Sequence, residues 1–173
     1  MSTEDVDTRL KQSFIRLYSS EHKVFVSALC KDAGISRNTF YEHYASMDSL
    51  VSDIRREILS DLMDYTGQYI DPESDGFDLD RYIDSGLEYI SAHMEEFRAF
   101  IVDNHDEDFS RMWSHRISSN LRKLPGCRQD PVMAEMLSYA LVGALSYAVR
   151  MGLSQNMTSA KAFFKNALGG LKG

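Results

Sequence analysis

The sequence is poor in residues that interrupt helices and in cysteines that crosslink small secreted domains. It contains three prolines, ten glycines and two cysteines in 173 residues. Cys30 and Cys127 lie far apart and fit neither a zinc-ligand spacing nor a disulfide framework, so we expect reduced thiols. The longest uncharged run, residues 136–149, is shorter than the roughly 20 residues of a membrane-spanning helix. We therefore expect no membrane span.

Basic residues are in deficit, and this limits how the chain can bind nucleic acid. There are 19 Lys and Arg against 26 Asp and Glu, a formal net charge of −7. Residues 1–50 hold six basic and seven acidic side chains. Proteins that bind DNA mainly through phosphates have a basic surface, so any DNA binding here must be local. The acidic, polar N-terminus is not typical of a secretory signal, and we expect a cytoplasmic protein.

The sequence motifs of catalysis are missing as well. It contains no glycine-rich phosphate loop, nucleophile elbow or paired His and Cys residues. Residues 103–108 are consecutive polar residues that, with His93 and His115, could suggest a metal site. No His-x3-His or Cys-x2-Cys spacing supports that site. We predict a non-enzyme with no cofactor and no metal, and interpret residues 103–108 as a solvated loop.

Apolar residues recur at helical spacing along nearly the whole chain, and no strand-like alternation occurs. Ser46 is suited to cap a long helix, and residues 71–76, rich in Pro, Gly and acids, form the clearest break. Further helices are predicted at about 131–152 and 159–171. The other apolar stripes are Leu10, Phe14 and Leu17; Leu50, Ile54, Ile58, Leu62, Tyr65 and Tyr69; Leu79, Ile83, Leu87, Ile90, Met94 and Phe97; and Phe109, Trp113, Ile117, Leu121 and Leu124. The pattern predicts an all-α fold.

Residues 26–44 have the pattern of a helix-turn-helix. Ala33 is small enough for two helices to pack closely, and Gly34 stands where a tight turn requires positive φ. Ile35 is an apolar plug, and Ser36 can cap the second helix. Leu29, Ile35 and Phe40 are expected to face a small core with Phe14 and Leu17.

This arrangement points the start of the second helix outward. Arg37 and Asn38 are suited to the edges of guanine and adenine, respectively. Tyr41, His43 and Tyr44 follow about one turn later, where they can contact phosphates. The predicted DNA-binding residues are Ser36, Arg37, Asn38, Thr39, Tyr41, His43 and Tyr44.

Residues 8–50 resemble the TetR family of bacterial transcriptional regulators. The resemblance is strongest over residues 33–44, AGISRNTFYEHY, which are similar to the turn and recognition helix of that family. It implies an N-terminal three-helix bundle with the helix-turn-helix, residues 1–46, joined to a larger helical effector-binding and dimerisation body, residues 47–173. It also implies a homodimer, most often a repressor, that binds a palindromic double-stranded DNA operator and is released by a small, apolar effector.

Two features of the N-terminal segment motivate an alternative function, a departure from the family pattern and an acidic balance of charge. Many family members have a lysine just after the recognition helix, where this chain has Met47. The first fifty residues are also slightly acidic. The alternative is a TetR-fold adaptor or coactivator that binds a partner protein rather than DNA. A small-molecule carrier that keeps the fold is a third possibility.

The body is expected to supply the dimer interface. Residues 136–149 are apolar on every side, so a helix there must be covered on more than one face. Small residues at intervals of four admit a second helix closely. The predicted interface residues are Ala140, Gly143, Ala144, Ala148, Phe163, Phe164 and Leu168. The other interpretation of this helix is the centre of a monomeric bundle.

Aromatic residues and methionines in the body are of the kind that line adaptable apolar pockets. The same stripe also fits a plain core. The predicted effector-pocket residues are Tyr82, Tyr89, Phe97, Phe100, Met112, Trp113, Arg116, Met136 and Tyr139, with Arg116 or His105 as a polar anchor.

Overall fold

A computed structural model describes residues 3–69, 79–123, 127, 130–152, 158–159, 161–163 and 165–166. Throughout these residues the regular structure is helical and no strand occurs. The all-α prediction is confirmed. The helices are α1 (Thr3–Ser20), α2 (Val26–Ala33), α3 (Arg37–His43), α4 (Met47–Gly67), α5 (Leu79–Ala92), α6 (Met94–Arg98), a π-helical turn (Ala99–Asp103), α7 (Glu107–Leu121) and α8 (Pro131–Met151).

Helices α1, α2 and α3 form a small bundle that we call the head. Its centre contains Leu10, Phe14, Leu29 and Phe40, none of which is more than 1% exposed. Most of the core predicted from the helix-turn-helix pattern is confirmed. Leu17 and Ile35 pack only at the edge of the core and are half-buried.

Helix α4 begins in the head and continues into the remaining helices, which we call the body. Its start is fixed by a capping box, as Ser46 Oγ accepts from the backbone N–H of Ser49 and Ser49 Oγ accepts from that of Ser46. The predicted N-cap at Ser46 is confirmed. A continuous helix of 21 residues is a stiff connection between the two parts.

The buried face of α4 differs from the predicted one in its second half. Leu50, Ile54 and Leu62 are buried as expected, whereas Ile58 and Tyr69 are half-buried and Tyr65 is 39% exposed. Leu59 and Thr66 are buried instead. A spacing of four residues drifts around a helix of 3.6 residues per turn, and this drift explains the error.

The stripe from Leu79 to Phe97 predicts one helix, but the structure divides it. Helix α5 ends at Ala92, His93 lies in a turn, and α6 runs from Met94 into the π-helical turn. This turn buries three consecutive residues, Ala99, Phe100 and Ile101. A π-helical turn is rare and is often found at functional sites.

Helix α8 confirms the helix predicted at about residues 131–152. Asp130 caps it by accepting from the backbone N–H of Met133 at 3.0 Å. By length and composition α8 could cross a membrane, with a mean hydropathy of 1.5 over 18 residues. Core helices of globular proteins pass the same test, and α8 packs along α7.

The described residues between 158 and 166 are helical, and the rest of the helix predicted at 159–171 lies outside the described residues.

Candidate nucleic-acid interface

The turn between α2 and α3 has the geometry that the helix-turn-helix pattern predicts. Gly34 has φ +64°, in the left-handed region, and the backbone N–H of Ile35 donates to the carbonyl of Cys30 at 3.0 Å. The Arg9 guanidinium on α1 donates to the carbonyls of Ala33 and Gly34. The head core and this polar tether therefore fix the angle between α2 and α3.

Replacing Gly34 with alanine should destabilise the head. A side chain at φ +64° is strained, and its Cβ would lie 2.8 Å from Arg9 Nη2. We expect a loss of about 1–2 kcal/mol in the free energy of unfolding, measured by urea denaturation. The matched control is Gly86→Ala, whose Cβ would make an ordinary contact of 3.6 Å with Thr66. Equal losses in the two variants would contradict the assigned turn geometry.

The start of α3 presents two side chains to solvent. Ser36 caps the helix, because its Oγ accepts from the backbone N–H of Thr39 at 3.0 Å. Thr39 Oγ1 is itself hydrogen-bonded to Ser36 Oγ at 2.9 Å and is half-buried. Arg37 and Asn38 are exposed. Of the three residues that the family resemblance implies for base reading, Arg37 and Asn38 are thus exposed for contact with a large ligand, and Thr39 is half-buried.

The end of α3 is held inside the head. His43 Nδ1 lies 2.8 Å from Asp7 Oδ1, and the His43 side chain is only 13% exposed. The Tyr44 hydroxyl donates to Asp53 Oδ2 on α4 at 3.2 Å. Burial and the nearby Asp7 and Asp53 carboxylates raise the pKa of Tyr44 above its usual value, so the hydroxyl remains a donor. In this conformation His43 and Tyr44 anchor α3 to α1 and α4.

Two exposed aromatic rings lie in the helix-turn-helix segment or directly before it. Tyr41, a predicted DNA-contacting residue, is 49% exposed and packs edge-on against Phe40. Phe25, at the N-cap of α2, is 57% exposed with Lys23 Nζ 5.3 Å from its ring centre. Sequence reasoning missed Lys23 and Phe25, because nothing in their spacing marks an exposed aromatic ring beside a cation.

Three of the six Lys and Arg side chains in the head are engaged within the protein. Arg9 binds the turn carbonyls, Lys11 pairs with Glu57, and Arg16 pairs with Asp32 at 2.7 Å. Among the described residues of the head, Lys23, Lys31 and Arg37 take part in no ion pair. The positive charge that remains available is therefore confined to α2, α3 and the residues just before α2.

The head is joined to the body by a buried carboxylate as well as by α4. Asp106, with a side chain 3% exposed, accepts from the Tyr18 hydroxyl at 3.1 Å and from Arg55 Nη2 at 2.6 Å. Its second oxygen caps α7 by accepting from the backbone N–H of Phe109 at 2.8 Å. Asn104 Nδ2 also donates to the Tyr18 carbonyl. Asp106 thus connects α1, α4 and α7.

The surroundings of Tyr18 in this joint keep its hydroxyl a hydrogen-bond donor. Burial, with the Asp106 charge and hydrogen bond, raises the pKa of Tyr18 to about 12. The hydroxyl therefore stays protonated and donates to Asp106 at physiological pH. The interpretation of residues 103–108 as a solvated loop is wrong for most of them. Asp103 ends the π-helical turn, Glu107 and Asp108 begin α7, and Tyr18 and Arg55 cover Asp106. No group of three or more His, Cys, Asp or Glu residues suited to a metal occurs among the described residues.

The predicted effector-pocket residues do not surround one cavity. Phe97, Phe100 and Trp113 are fully buried in a cluster of rings with Phe109, and Tyr89 is 9% exposed. A second group, Met112, Arg116 and Tyr139, lines an open groove on the surface. Met136 is 69% exposed, and His105, the other suggested anchor, is also exposed. Tyr82 and Trp113 line a small, partly open pocket in the body.

The predicted dimer residues are divided between exposed and buried positions. Ala140 and Gly143 are exposed, and Ala144 is half-buried. Ala148 is 2% exposed and lies inside the chain, so the three alanines do not form one outward-facing stripe. Phe163 is 42% exposed, whereas Phe164 and Leu168 lie outside the described residues.

Neither a protein-family model nor a curated protein matches the sequence. Solved structures do match over nearly the whole chain. A transcriptional regulator of the TetR/AcrR family from Aquifex aeolicus VF5 is 17% identical, with a TM-score of 0.66, and the match covers 95% of this chain and 98% of that one. A TetR-like transcriptional regulator from Rhodococcus sp. RHA1 is 19% identical, with a TM-score of 0.68 and coverage of 100% and 99%.

A third similar structure is described as the dihydroxyacetone kinase operon activator DhaS. It is 17% identical, has a TM-score of 0.56, and the match covers 96% of this chain and 93% of that one. The similar structures are named as regulators of transcription rather than as enzymes. The similarity spans the head and body together, as the resemblance in residues 8–50 predicts. The chain therefore has the all-helical fold of the TetR/AcrR-family transcriptional regulators.

Proposed function

We propose that this protein is a non-catalytic, cytoplasmic transcription regulator that reads double-stranded DNA with α3. The exposed Arg37 and Asn38 at the capped start of α3 carry the proposal. In helix-turn-helix proteins the first residues of the recognition helix reach base edges in the major groove. The similarity to solved regulators over both parts of the chain supports the same assignment. The corresponding units are residues 1–46 for DNA binding and 47–173 for regulation and dimerisation.

The predicted DNA-binding residues then have different roles. Arg37 and Asn38 read bases, and Tyr41 contacts the DNA backbone beside them. Ser36 and Thr39 fix the start of α3, and their hydroxyls reach DNA only as secondary contacts. His43 and Tyr44 position the helix through Asp7 and Asp53 in the unbound protein. A positioning role explains why these side chains are covered although their sequence pattern suggests contact with DNA.

The proposed assembly is a homodimer formed through α8. Six large apolar side chains on α8 are exposed: Val132 (66%), Met133 (39%), Met136 (69%), Tyr139 (54%), Tyr147 (62%) and Met151 (52%). They lie on one side of α8 together with Ala140 and Gly143, at spacings of three and four residues. A contiguous apolar patch of this kind marks an interaction surface. A second copy placed by a two-fold axis would cover both faces and present two heads to a palindrome.

The proposed mode of action is repression relieved by a small, apolar effector in the body. The joint at Asp106 supports this, because α7, α4 and α1 meet at one carboxylate and a displacement of α7 reaches the head. One similar structure is named an operon activator, so repression and activation of transcription are distinguished by experiment. A reporter gene placed behind the selected operator supplies it: expression should fall when the protein is present.

Arg37→Ala should weaken and relax sequence recognition. We expect a loss of about 1–3 kcal/mol in operator binding, with discrimination relaxed at one base pair of each half-site. Selection of duplexes from a random pool at low salt should yield a palindrome with the parent protein. The selected site then allows affinities to be measured for each base substitution.

The matched control is Arg111→Ala on α7, since Arg111 is exposed in the body and should not alter DNA binding. An equal loss for Arg37→Ala on every sequence would reduce Arg37 to a phosphate contact. No enrichment of any sequence by the parent would remove the DNA-binding proposal and favour a head that binds a partner protein.

A further inference from the structure

An open groove runs along the surface of the body between α7 and α8. It encloses about 790 Å³ and extends from Arg111 to Asn120, about 14 Å along α7. Its lining residues on α7 form two neighbouring rows at intervals of four, and those on α8, Glu135 and Tyr139, have the same interval. Rows of this spacing form ridges between which the side chains of another helix pack. The groove therefore suits a helix of two to three turns.

The apolar part of the groove consists of residue types that are enriched at protein interfaces. Met63 and Met112 are half-buried there, and Tyr139 is 54% exposed. Methionine and tyrosine are over-represented in interfaces, and methionine adapts its shape to a partner. Sites for small molecules bury most of their ligand, whereas this groove is open to solvent along its length. Its composition and openness favour a protein partner over a small effector.

The groove is basic although the chain as a whole has a net charge of −7. Two guanidinium groups, those of Arg111 and Arg116, line it with the imidazole of His115. Glu135 is the one carboxylate among the described residues that line the groove, and it is paired with Arg122 at 3.4 Å. An acidic partner would therefore be attracted to this surface and repelled by most of the rest of the protein.

The two arginines are available to such a partner. Arg116 is half-buried and forms no ion pair with any described residue. Arg111 is paired with Asp108, but their side chains are 72% and 53% exposed, and an ion pair at such a position contributes little. Exchange of Asp108 for a carboxylate of a partner would therefore cost little. A carboxylate that reached Arg116 would form a charge-assisted hydrogen bond partly shielded from water.

We propose that this groove binds an acidic amphipathic helix of a partner protein. An apolar row of that helix would pack on Met63 and Met112, and a neighbouring row of carboxylates would bind Arg111 and Arg116. In the proposed dimer a second copy covers the exposed apolar face of α8, and Tyr139 stands at the border between that face and the groove. The inference goes beyond the proposed function and does not depend on DNA recognition.

The test uses a fluorescein-labelled peptide of about 16 residues, long enough to form a helix in an alanine background. It carries a row of leucines and a neighbouring row of glutamates, each at intervals of four residues, to match the rows on α7. The control peptide has the same composition with the leucines and glutamates in scrambled order. The patterned peptide should bind the whole protein with saturation, measured by fluorescence anisotropy, and its affinity should fall as salt is raised. The scrambled peptide should bind roughly tenfold more weakly.

Three substitutions to glutamate separate the groove from general charge effects. Arg116→Glu should weaken binding of the patterned peptide by about tenfold or more, because a charge-assisted hydrogen bond is replaced by repulsion. Arg111→Glu, at a position exposed enough to leave folding intact, should weaken it by a smaller factor. Arg98→Glu makes the same change of charge at an exposed position of α6 outside the groove and should leave the affinity nearly unchanged.

Four results would overturn the proposal. Three of them are no saturable binding below about 1 mM, equal binding of the two peptides, and equal affinities of Arg116→Glu and Arg98→Glu. The fourth is a molar mass of one chain for Arg116→Glu where the parent has that of two, because a second copy would then cover the groove. Operator selection by Arg116→Glu should match that of the parent, so the groove and the DNA-binding head are tested separately.

Discussion

Gly143→Arg should split the dimer and abolish tight binding to a palindromic operator while leaving each chain folded. In the single chain nothing lies within 4 Å of a Cβ built at Gly143. Arginine is also a better helix former than glycine by somewhat under 1 kcal/mol, so the folded chain should lose no stability. In a dimer the guanidinium would be forced between two apolar helices, where an unpaired charge is costly.

The expected result is a change in molar mass from that of two chains to that of one, measured by light scattering at micromolar concentration. Operator affinity should fall roughly hundredfold or more, because two linked heads bind far more tightly than one. Urea denaturation should show that the Gly143→Arg chain has a free energy of unfolding no lower than that of the unsubstituted chain in its monomeric form.

Gly67→Arg provides the matched control. Gly67 is the last residue of α4, and a Cβ there also has nothing within 4 Å. That variant should remain dimeric and bind the operator normally. If Gly143→Arg also remained dimeric, α8 would not be the interface, and its exposed apolar face would need another partner.

Asp106→Ala should be the most destabilising single substitution considered for this protein. It leaves the Arg55 guanidinium, 18% exposed, without its main partner. It also removes the cap of α7 and the acceptor of the Tyr18 hydroxyl. Breaking a buried ion pair from one side costs about 3–5 kcal/mol. We expect a loss of that order in the free energy of unfolding, measured with urea and followed by circular dichroism.

Asp108→Ala is the control for this prediction. Asp108 also lies near Arg55, at 3.6 Å, but its side chain is 53% exposed. Its removal should cost less than about 1 kcal/mol. Asp106→Asn has a single amide oxygen, which can keep the α7 cap but cannot also accept from Tyr18 and Arg55, so its loss should fall between the two. A loss in Asp106→Ala no greater than in Asp108→Ala would show that the joint does not hold the head on the body.

Local features of this fold could be predicted because local sequence dictates them. The left-handed turn at Gly34 follows from a glycine between two short apolar segments, and the cap at Ser46 follows from a serine before an amphipathic helix. The exposure of Arg37 and Asn38 follows from the same helix-turn-helix pattern. Each depends on residues within about one helical turn, and the structure agrees with each.

Long-range features could not be predicted in the same way. Tyr18 and Asp106 are separated by 88 positions, and no periodicity indicates that one binds the other. The break at His93 is hidden because the apolar period continues from α5 into α6. On α8 nearly every face is apolar, so the sequence does not distinguish buried Ala148 from exposed Gly143. The aromatic residues proposed for a pocket were ambiguous for the same reason, and packing placed Phe97 and Phe100 in the core.

The double attachment of the head has a consequence for the DNA site itself. A head held by α4 alone could swing, whereas one also fastened through Tyr18 and Asn104 keeps a fixed position and direction. In a dimer, the distance and the angle between two such heads would be fixed. One extra base pair between half-sites moves the second by 3.4 Å and turns it by about 35°, since a full turn takes 10–10.5 base pairs. The affinity for the operator would then depend on the length of the spacer as strongly as on the bases of the two half-sites.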